Sequence, residues 1–145
     1  MARTRFKDQR PVVESRLRVR YKDTDQMAIA HHSNHVVWFE IGRTDLCRAA
    51  GIEYRRIEEL GWILVVTEIG CRYRGPFRYD DEVLIRTQVD EGSSRLIRFA
   101  YQLADAATGE VRAEGFSAHV WVDKATRRPR AASPEVMAKF APFLV

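Results

Sequence analysis

Acidic and imidazole side chains are concentrated in one short stretch of this sequence, between positions 21 and 35. It carries two carboxylates, Asp23 and Asp25, and three of the four histidines, His31, His32 and His35. A carboxylate can act as a general base or as a nucleophile. The free N–H groups at a helix N-terminus can stabilise an oxyanion. Because a helix is predicted to begin within this stretch, both groups could be delivered to one site.

The same residues also permit simpler explanations. Asp23 and Asp25 would point to opposite sides of an extended backbone, so one could face a cleft while the other shapes the loop. Both could equally serve turn and capping chemistry. His31 and His35 are spaced i, i+4 and could share a metal with one of the acids. The sequence offers no further ligand of matching spacing, so no metal site is predicted.

The elements around this stretch follow from hydrophobic periodicity. Alternation over Val13–Tyr21 predicts a half-buried strand, with Tyr21 on the apolar face. An apolar stripe predicts a helix over Ser33–Ala50 that ends at Gly51. Within it, Glu40 and Arg43 are expected to pair on the helix surface, and Gly42 to allow close approach of a neighbouring backbone.

The second half of the chain is predicted to be almost entirely strand. A short amphipathic helix over 53–60 is followed by alternating segments at 63–73, 82–91, 95–106 and 111–122. Ser133-Pro134-Glu135 then opens a terminal helix, with serine as N-cap. A strand, a long helix and four consecutive antiparallel strands predict an α+β domain of two layers.

Length and composition indicate a soluble, cytoplasmic protein. A chain of 145 residues is expected to form one domain over 1–145, with a flexible N-terminal lead over 1–12. The lead lacks the apolar core of a signal peptide, and the longest apolar run, Trp62–Val66, is too short to cross a membrane. Cys47 and Cys71 are predicted to be reduced.

The basic residues suggest a phosphate-bearing partner. Net charge is +4, and arginines cluster in two places. Such clusters attract nucleic acid or the phosphates of a nucleotide-like molecule, although a solvated basic face is an equal alternative. No nucleic-acid-binding motif accompanies them, so no nucleic-acid partner is predicted. The clusters are Arg72, Arg74 and Arg78, and Arg127, Arg128 and Arg130.

Three segments together resemble a known family. They are RVRYKDTD at 18–25 with His32, WFEIGRT at 38–44, and YRGPFRYDD at 73–81. They are similar to the acyl-CoA thioesterases of the hotdog fold, and most of all to the 4-hydroxybenzoyl-CoA thioesterase group, which includes the Tol–Pal-associated enzymes. The order of elements fits from about residue 14 to residue 140.

The resemblance implies a fold, an assembly and a reaction. A curved five-stranded antiparallel sheet would wrap a long central helix, with a short helix at the C-terminus. Sheets would join edge to edge in a homodimer or a homotetramer, with active sites at the interface. The reaction would be hydrolysis of an acyl-CoA or aroyl-CoA thioester. Coenzyme A would be part of the substrate, and no separate cofactor is expected.

The resemblance also implies roles for individual residues. Asp25 would be the catalytic carboxylate, as general base or nucleophile, and the backbone N–H of His32 would polarise the thioester carbonyl. Arg127 and Arg128, and then Arg74 and Arg78, would bind the phosphates of coenzyme A.

The acyl group would have its own pocket, with Trp38 as a candidate lining residue. Relatives commonly carry glycine in the turn where this chain has Met27 and Ala28, and tyrosine where it has His35. These departures would reshape the acyl pocket.

Three other functions remain open at this stage. A metal-dependent hydrolase would hold its metal with His31, His35 and one of the two acids. A hydratase or dehydratase of the same fold would use His31 or His35 paired with an acid. A non-catalytic acyl-CoA-binding module would not need Asp25.

Overall fold

The computed structural model describes residues 6, 7 and 9–145, and over them it has an α+β architecture of one sheet and one long helix. The strands are β1 (Val13–Arg18), β2 (Trp62–Tyr73), β3 (Glu82–Gly92), β4 (Leu96–Asp105) and β5 (Val111–Asp123). The helices are α1 (Ser33–Ala49), α2 (Tyr54–Glu59) and α3 (Pro134–Phe140), with 3-10 turns at Tyr21–Asp23 and Ala141–Phe143. The predicted α+β class is confirmed.

The sheet is antiparallel throughout, in the order β1-β3-β4-β5-β2. Although β2 precedes β3 in sequence, it pairs with β5, from Trp62 opposite Asp123 to Tyr73 opposite Ala113. Adjacency in sequence therefore misplaces β2, which forms one edge of the sheet. Beyond Tyr73 the chain turns away at Gly75-Pro76, where proline cannot donate to a strand ladder.

Helix α1 packs across the concave face of this sheet. Phe39, Leu46 and Cys47 are fully buried along one stripe, and the Phe39 ring stacks on Tyr101 of β4 at 4.3 Å. A side chain at Gly42 would collide with Thr87 and come within 2.9 Å of Ile85 Cγ2, both on β3. Gly42 therefore permits close packing as predicted, although the neighbours are side chains and not backbone.

Three local predictions differ from the structure. The first strand ends at Arg18, and Tyr21 lies in a 3-10 turn with 79% of its surface exposed. The turn forms because the Asp23 carboxylate accepts the Arg20 N–H, which draws the backbone out of the extended conformation. The alternation along β2 is interrupted by a bulge between Val66 and Glu68.

The third difference concerns Arg43. It is only 8% exposed and forms no ion pair with Glu40 among those found in the described part of the chain. The predicted surface pair is wrong because Arg43 points inward, toward Tyr54 and Tyr101. Two predicted helix ends agree with the structure. Gly51 ends α1 at φ +81°, and Ser133 caps α3 by accepting the Val136 N–H.

The predicted N-terminal lead is only partly covered, because residues 1–5 and 8 lie outside the described residues. Arg10 donates from its guanidinium to the carbonyls of Val89 and Leu144, at 2.9 and 3.0 Å. The Lys7 N–H donates to Gln88 on β3 at 2.9 Å. This part of the lead therefore lies against the sheet and the C-terminus.

Candidate active site

The acidic stretch folds into a small hairpin that leads directly into α1. Thr24 forms a β-bridge with Ala30, and the Asp25 N–H donates to the Ile29 carbonyl at 3.0 Å. Ala28 closes the hairpin at φ +62°, the left-handed conformation that glycine adopts without strain. The Ala30 N–H donates to the Phe77 carbonyl at 2.8 Å, which fixes the hairpin to the segment after the Gly-Pro break.

Asp23 holds the base of this hairpin. Its side chain is 3% exposed and accepts the Arg20 backbone N–H at 2.9 Å and the Arg20 guanidinium at 3.1 Å. Although burial by itself would raise the pKa of this carboxyl, the bonds from Arg20 bring it below its usual value. Its carbonyl accepts from the His31 N–H and from Asn34 Nδ2, each at 2.8 Å. All these contacts stabilise the hairpin and its junction with α1.

Asp25, by contrast, is presented to solvent. Its Oδ1 accepts the Met27 N–H at 2.8 Å in an Asx turn, which orients the carboxylate. No hydrogen bond of the described residues engages Oδ2, so that oxygen is available to a substrate or a water molecule. The structure thus separates the two acids, with Asp23 buried and bonded and Asp25 exposed.

His32 is the N-cap residue of α1. No hydrogen bond found in the described part of the chain uses its backbone N–H, whereas the His31 N–H is bonded to Asp23 and the His35 N–H to the His32 carbonyl. A free N–H at the positive end of a 17-residue helix is suited to a developing oxyanion. The imidazole of His32 makes no cap hydrogen bond.

The side chain of His31 has a structural role. Its Nδ1 accepts the Ser33 N–H at 3.2 Å and lies 2.8 Å from Ser33 Oγ, so it occupies one of the free donors of the helix. Its ring packs on that of His32, with centroids 4.1 Å apart. His31 therefore helps to shape the start of α1.

His35 lies under the site and not in it. Its ring is 3% exposed and is surrounded by the rings of Tyr73, Trp38 and Phe77, with centroids 4.7 to 6.0 Å away. Burial lowers its pKa to about 4, so it is neutral near pH 7. Within the described residues, no carboxylate is bonded to either ring nitrogen. This arrangement does not supply the acid-paired histidine that a hydratase would need.

One contributor to the site was not anticipated from the sequence. Tyr73, the last residue of β2, donates its hydroxyl to the His32 carbonyl at 2.9 Å. Burial raises the pKa of Tyr73 to about 12, so the hydroxyl keeps its proton. The only sequence signal was that a tyrosine ends a strand just before a Gly-Pro break. Its partner lies 41 residues away in the chain.

The described residues contain no group of three or more histidine, cysteine, aspartate or glutamate side chains arranged to hold a metal ion. Cys47 and Cys71 are free, as predicted. Within the same part of the chain, no helix is long and apolar enough to cross a membrane.

The predicted substrate-binding residues fall in three places. Arg74 and Arg78 are exposed near the Tyr73 end of β2, where Arg74 forms an ion pair with Glu114 at 3.2 Å. Arg127 and Arg128 are exposed beyond the end of β5, beside the start of β2. Since 12 residues of strand span about 36 Å, the two basic clusters of one chain are far apart.

Trp38 belongs to the third place, the interior. It is 3% exposed and packs edge-on against Phe77, with ring centroids 5.7 Å apart. The structure therefore does not bring Trp38 to an open surface beside Asp25.

The sheet is antiparallel in this strand order and wraps around one long helix, which is the hotdog fold. An exposed aspartate lies beside the helix N-terminus, an arrangement suited to a thioesterase. The chain matches the Thioesterase-like superfamily over residues 19–140 and belongs to that family.

Individual relatives agree with this assignment. YneP of Bacillus subtilis is 32% identical over 81% of this chain and 85% of its own length. The acyl-CoA thioester hydrolase YbgC of Escherichia coli is 26% identical, over 86% of this chain and 92% of its own. Among solved structures, hypothetical protein TT1821 of Thermus thermophilus superposes with a TM-score of 0.85, at 33% identity over 90% of this chain and 98% of its own. The DHNA-CoA thioesterase of Staphylococcus aureus gives 0.79, at 26% identity over 83% and 80%.

Proposed function

We propose that this protein hydrolyses acyl-CoA thioesters to free coenzyme A and a carboxylic acid. The observation that carries the proposal is an exposed, oriented carboxylate in the hairpin that leads directly to a free N–H at the helix N-terminus. Asp25 supplies the first and His32 the second. The named activities of relatives that match most of the chain point to the same reaction.

The chemistry assigns one task to each group. The thioester carbonyl oxygen accepts the His32 N–H, which stabilises the negative charge that develops there. Asp25 then either removes a proton from water as it attacks the carbonyl, or attacks directly to give an anhydride that water opens. The sulfur of coenzyme A leaves and is protonated. No cofactor takes part in either route.

The same proposal includes a homodimer joined through β2. This edge strand has 12 residues and exposes Val65, Val66, Ile69 and Tyr73 by 39 to 46%. A long apolar edge with unpaired backbone groups invites pairing with another strand. A two-fold axis would join β2 to its own copy in antiparallel fashion.

Such a dimer would also assemble the coenzyme A site. Antiparallel pairing brings the start of one β2 beside the end of the other, so that Arg127 and Arg128 of one subunit approach Arg74 and Arg78 of the second. The clusters that one chain holds apart would then lie on one phosphate-binding surface. Two such dimers could associate further into a tetramer. We place this assembly in the cytoplasm, where Cys47 and Cys71 would stay reduced.

Thiol release from a graded panel of acyl-CoAs and aroyl-CoAs, followed with a thiol reagent, tests the activity. Asp25→Asn is expected to lower kcat by at least about 100-fold, the lower end of what general-base catalysis contributes. Asp80→Asn is the matched control, because Asp80 is exposed and its φ of +68° suits asparagine. Equal kcat in the two variants would refute the assignment of Asp25. Absence of thiol release across the panel, with binding retained, would favour a non-catalytic acyl-CoA-binding module.

Sedimentation velocity tests the assembly. Ile69→Lys places a charge on the edge strand β2, at a position that is 40% exposed, and is expected to give monomers. Val37→Lys is the control, because Val37 is 52% exposed but lies on α1 and away from the sheet edge. A dimer that persists in Ile69→Lys would show that the subunits associate elsewhere.

A further inference from the structure

A groove runs between α1 and the free edge of β2. Residues that face each other across antiparallel strands share one face of the sheet. Ile69 pairs with Ser117, which bonds Tyr101 beneath α1, and Val66 pairs with the fully buried His119. Val66 and Ile69 therefore point toward the helix, yet they remain 42 and 40% exposed. These two side chains form an apolar wall of the groove alongside α1.

The two ends of the groove differ in character. At one end the Tyr73 hydroxyl meets the His32 carbonyl, beside the proposed oxyanion donor. At the other end, near His119, Arg43 reaches inward from α1 toward Tyr54 and Tyr101. A thioester held at His32 would direct its acyl group along this wall toward Arg43.

Arg43 is a buried cation whose hydrogen-bonding capacity is only partly used. It is 8% exposed and interacts with the hydroxyls of Tyr54 and Tyr101, but among the described residues its Nε and Nη1 atoms have no hydrogen-bond partner. Burial raises the pKa of Tyr54, Tyr101 and Cys47 to about 12, so these neighbours are neutral near pH 7.

Two further neighbours, one on β5 and one on α1, also lack a close ion pair with Arg43 among the described residues. Burial lowers the pKa of His119 to about 3, and its Nδ1 is also unpartnered. Glu40 on α1 favours the charged guanidinium, but its own carboxylate is exposed to solvent and forms no ion pair with Arg43 in the described part of the chain. Buried charges in proteins are normally paired, because an unpaired one is costly to desolvate.

We propose that the Arg43 guanidinium receives the distal carboxylate of the substrate's acyl group, and that dicarboxylic acyl-CoA thioesters are the preferred substrate class. The inference rests on the proposed thioesterase function. Nε and Nη1 supply the unpartnered donors, and the hydroxyls of Tyr54 and Tyr101 lie beside them. A carboxylate would accept from both unpartnered N–H groups and form a close pair with the buried charge.

The helix sets the length of this substrate. Arg43 lies eleven residues beyond His32, or about 16 Å along the axis at about 1.5 Å per residue. A long helical side chain that leans back toward the N-terminus would shorten this interval. A medium-length acyl chain fits that interval, and a two-carbon acyl group would not reach.

The test compares adipyl-CoA with hexanoyl-CoA, two thioesters of equal carbon number that differ in a terminal carboxylate or methyl group. Wild-type protein is expected to show a kcat/KM at least tenfold higher for adipyl-CoA. In Arg43→Met that ratio should fall by about 10- to 100-fold, the range expected for a hydrogen bond to a charged group. Arg43→Lys should retain part of the preference, because the charge remains.

Arg48→Met is the matched control. It lies on the same helix, but it is exposed and forms an ion pair with Asp45 at 2.7 Å, so the ratio should equal that of wild type. A wild-type ratio at or below one would overturn the inference even if Arg43→Met failed to fold. Hydrolysis of hexanoyl-CoA in that case would leave the thioesterase function standing. Absence of hydrolysis for both substrates and for the wider panel would overturn the proposed function itself.

Discussion

Replacing Tyr73 tests whether the edge strand helps to position the start of α1, because the Tyr73 hydroxyl joins the two. Tyr73→Phe removes the 2.9 Å bond to the His32 carbonyl and keeps the ring against His35. The carbonyl would keep its bonds within the first turn of the helix, among them the long one from the His35 N–H at 3.3 Å. The first turn of α1, which presents the proposed oxyanion donor, would then be held less firmly.

The magnitude follows from the geometry. A neutral hydrogen bond contributes about 0.5–1.5 kcal/mol net, which corresponds to about a 2- to 12-fold change in an equilibrium or rate. If the bond matters for orientation in the transition state, kcat and kcat/KM should fall together by that factor. A purely structural role would lower the free energy of unfolding and leave kcat unchanged.

The assay is steady-state kinetics on the best acyl-CoA of the panel, with urea unfolding and sedimentation run in parallel. Tyr79→Phe is the matched control, because Tyr79 is 60% exposed and no hydrogen bond of the described residues uses its hydroxyl. A Tyr73→Phe kcat equal to that of Tyr79→Phe would refute the positioning role.

Three further perturbations test the packing of the interior, the ionisation of a buried histidine and the backbone strain in the acidic hairpin. Gly42→Ala should lower the free energy of unfolding by about 1–3 kcal/mol, because the added methyl group would collide with Thr87. Adding Thr87→Ala should restore part of that stability, and urea titrations of both variants would show it. Burial lowers the pKa of His119 to about 3, so the unfolded chain binds more protons than the folded one below pH 6.5. The free energy of unfolding should therefore decrease as the pH is lowered from 6.5 to 4, by about 1.4 kcal/mol per pH unit for each such histidine. His119→Gln should reduce that slope, and an unchanged slope would contradict it. Ala28→Gly should raise the midpoint of thermal unfolding slightly, since φ is +62° there; a lower midpoint would show that Ala28 is unstrained.

The sequence was a good guide wherever local rules decide the outcome. The helix over residues 33–50 and the capped helix opening at Ser133 appear within a residue of their predicted bounds. Periodicity, capping and glycine stops operate over a few residues, so no distant contact is needed to specify them. The resemblance to hotdog thioesterases is confirmed at the level of family and fold.

Other features depended on the contacts of one side chain, either nearby or far away in the chain. Alternation predicted a strand to Tyr21, but the Asp23 carboxylate turned the backbone at Arg20. Spacing placed Arg43 on the surface beside Glu40, whereas packing buried it near Tyr101. In each case one side chain outweighed the local pattern.

The chain order of its elements, the acidic hairpin before α1 and the choice of Asp25 and His32 as candidate catalytic groups all come from the sequence by itself. Only the tertiary structure decided that Asp23 is buried and Asp25 is open, and that β2 lies at a sheet edge. It also brought the Tyr73 hydroxyl to the start of α1, across 41 residues. The reason is physical: periodicity records which face of an element is apolar, whereas burial of a single polar group depends on which distant atoms meet it.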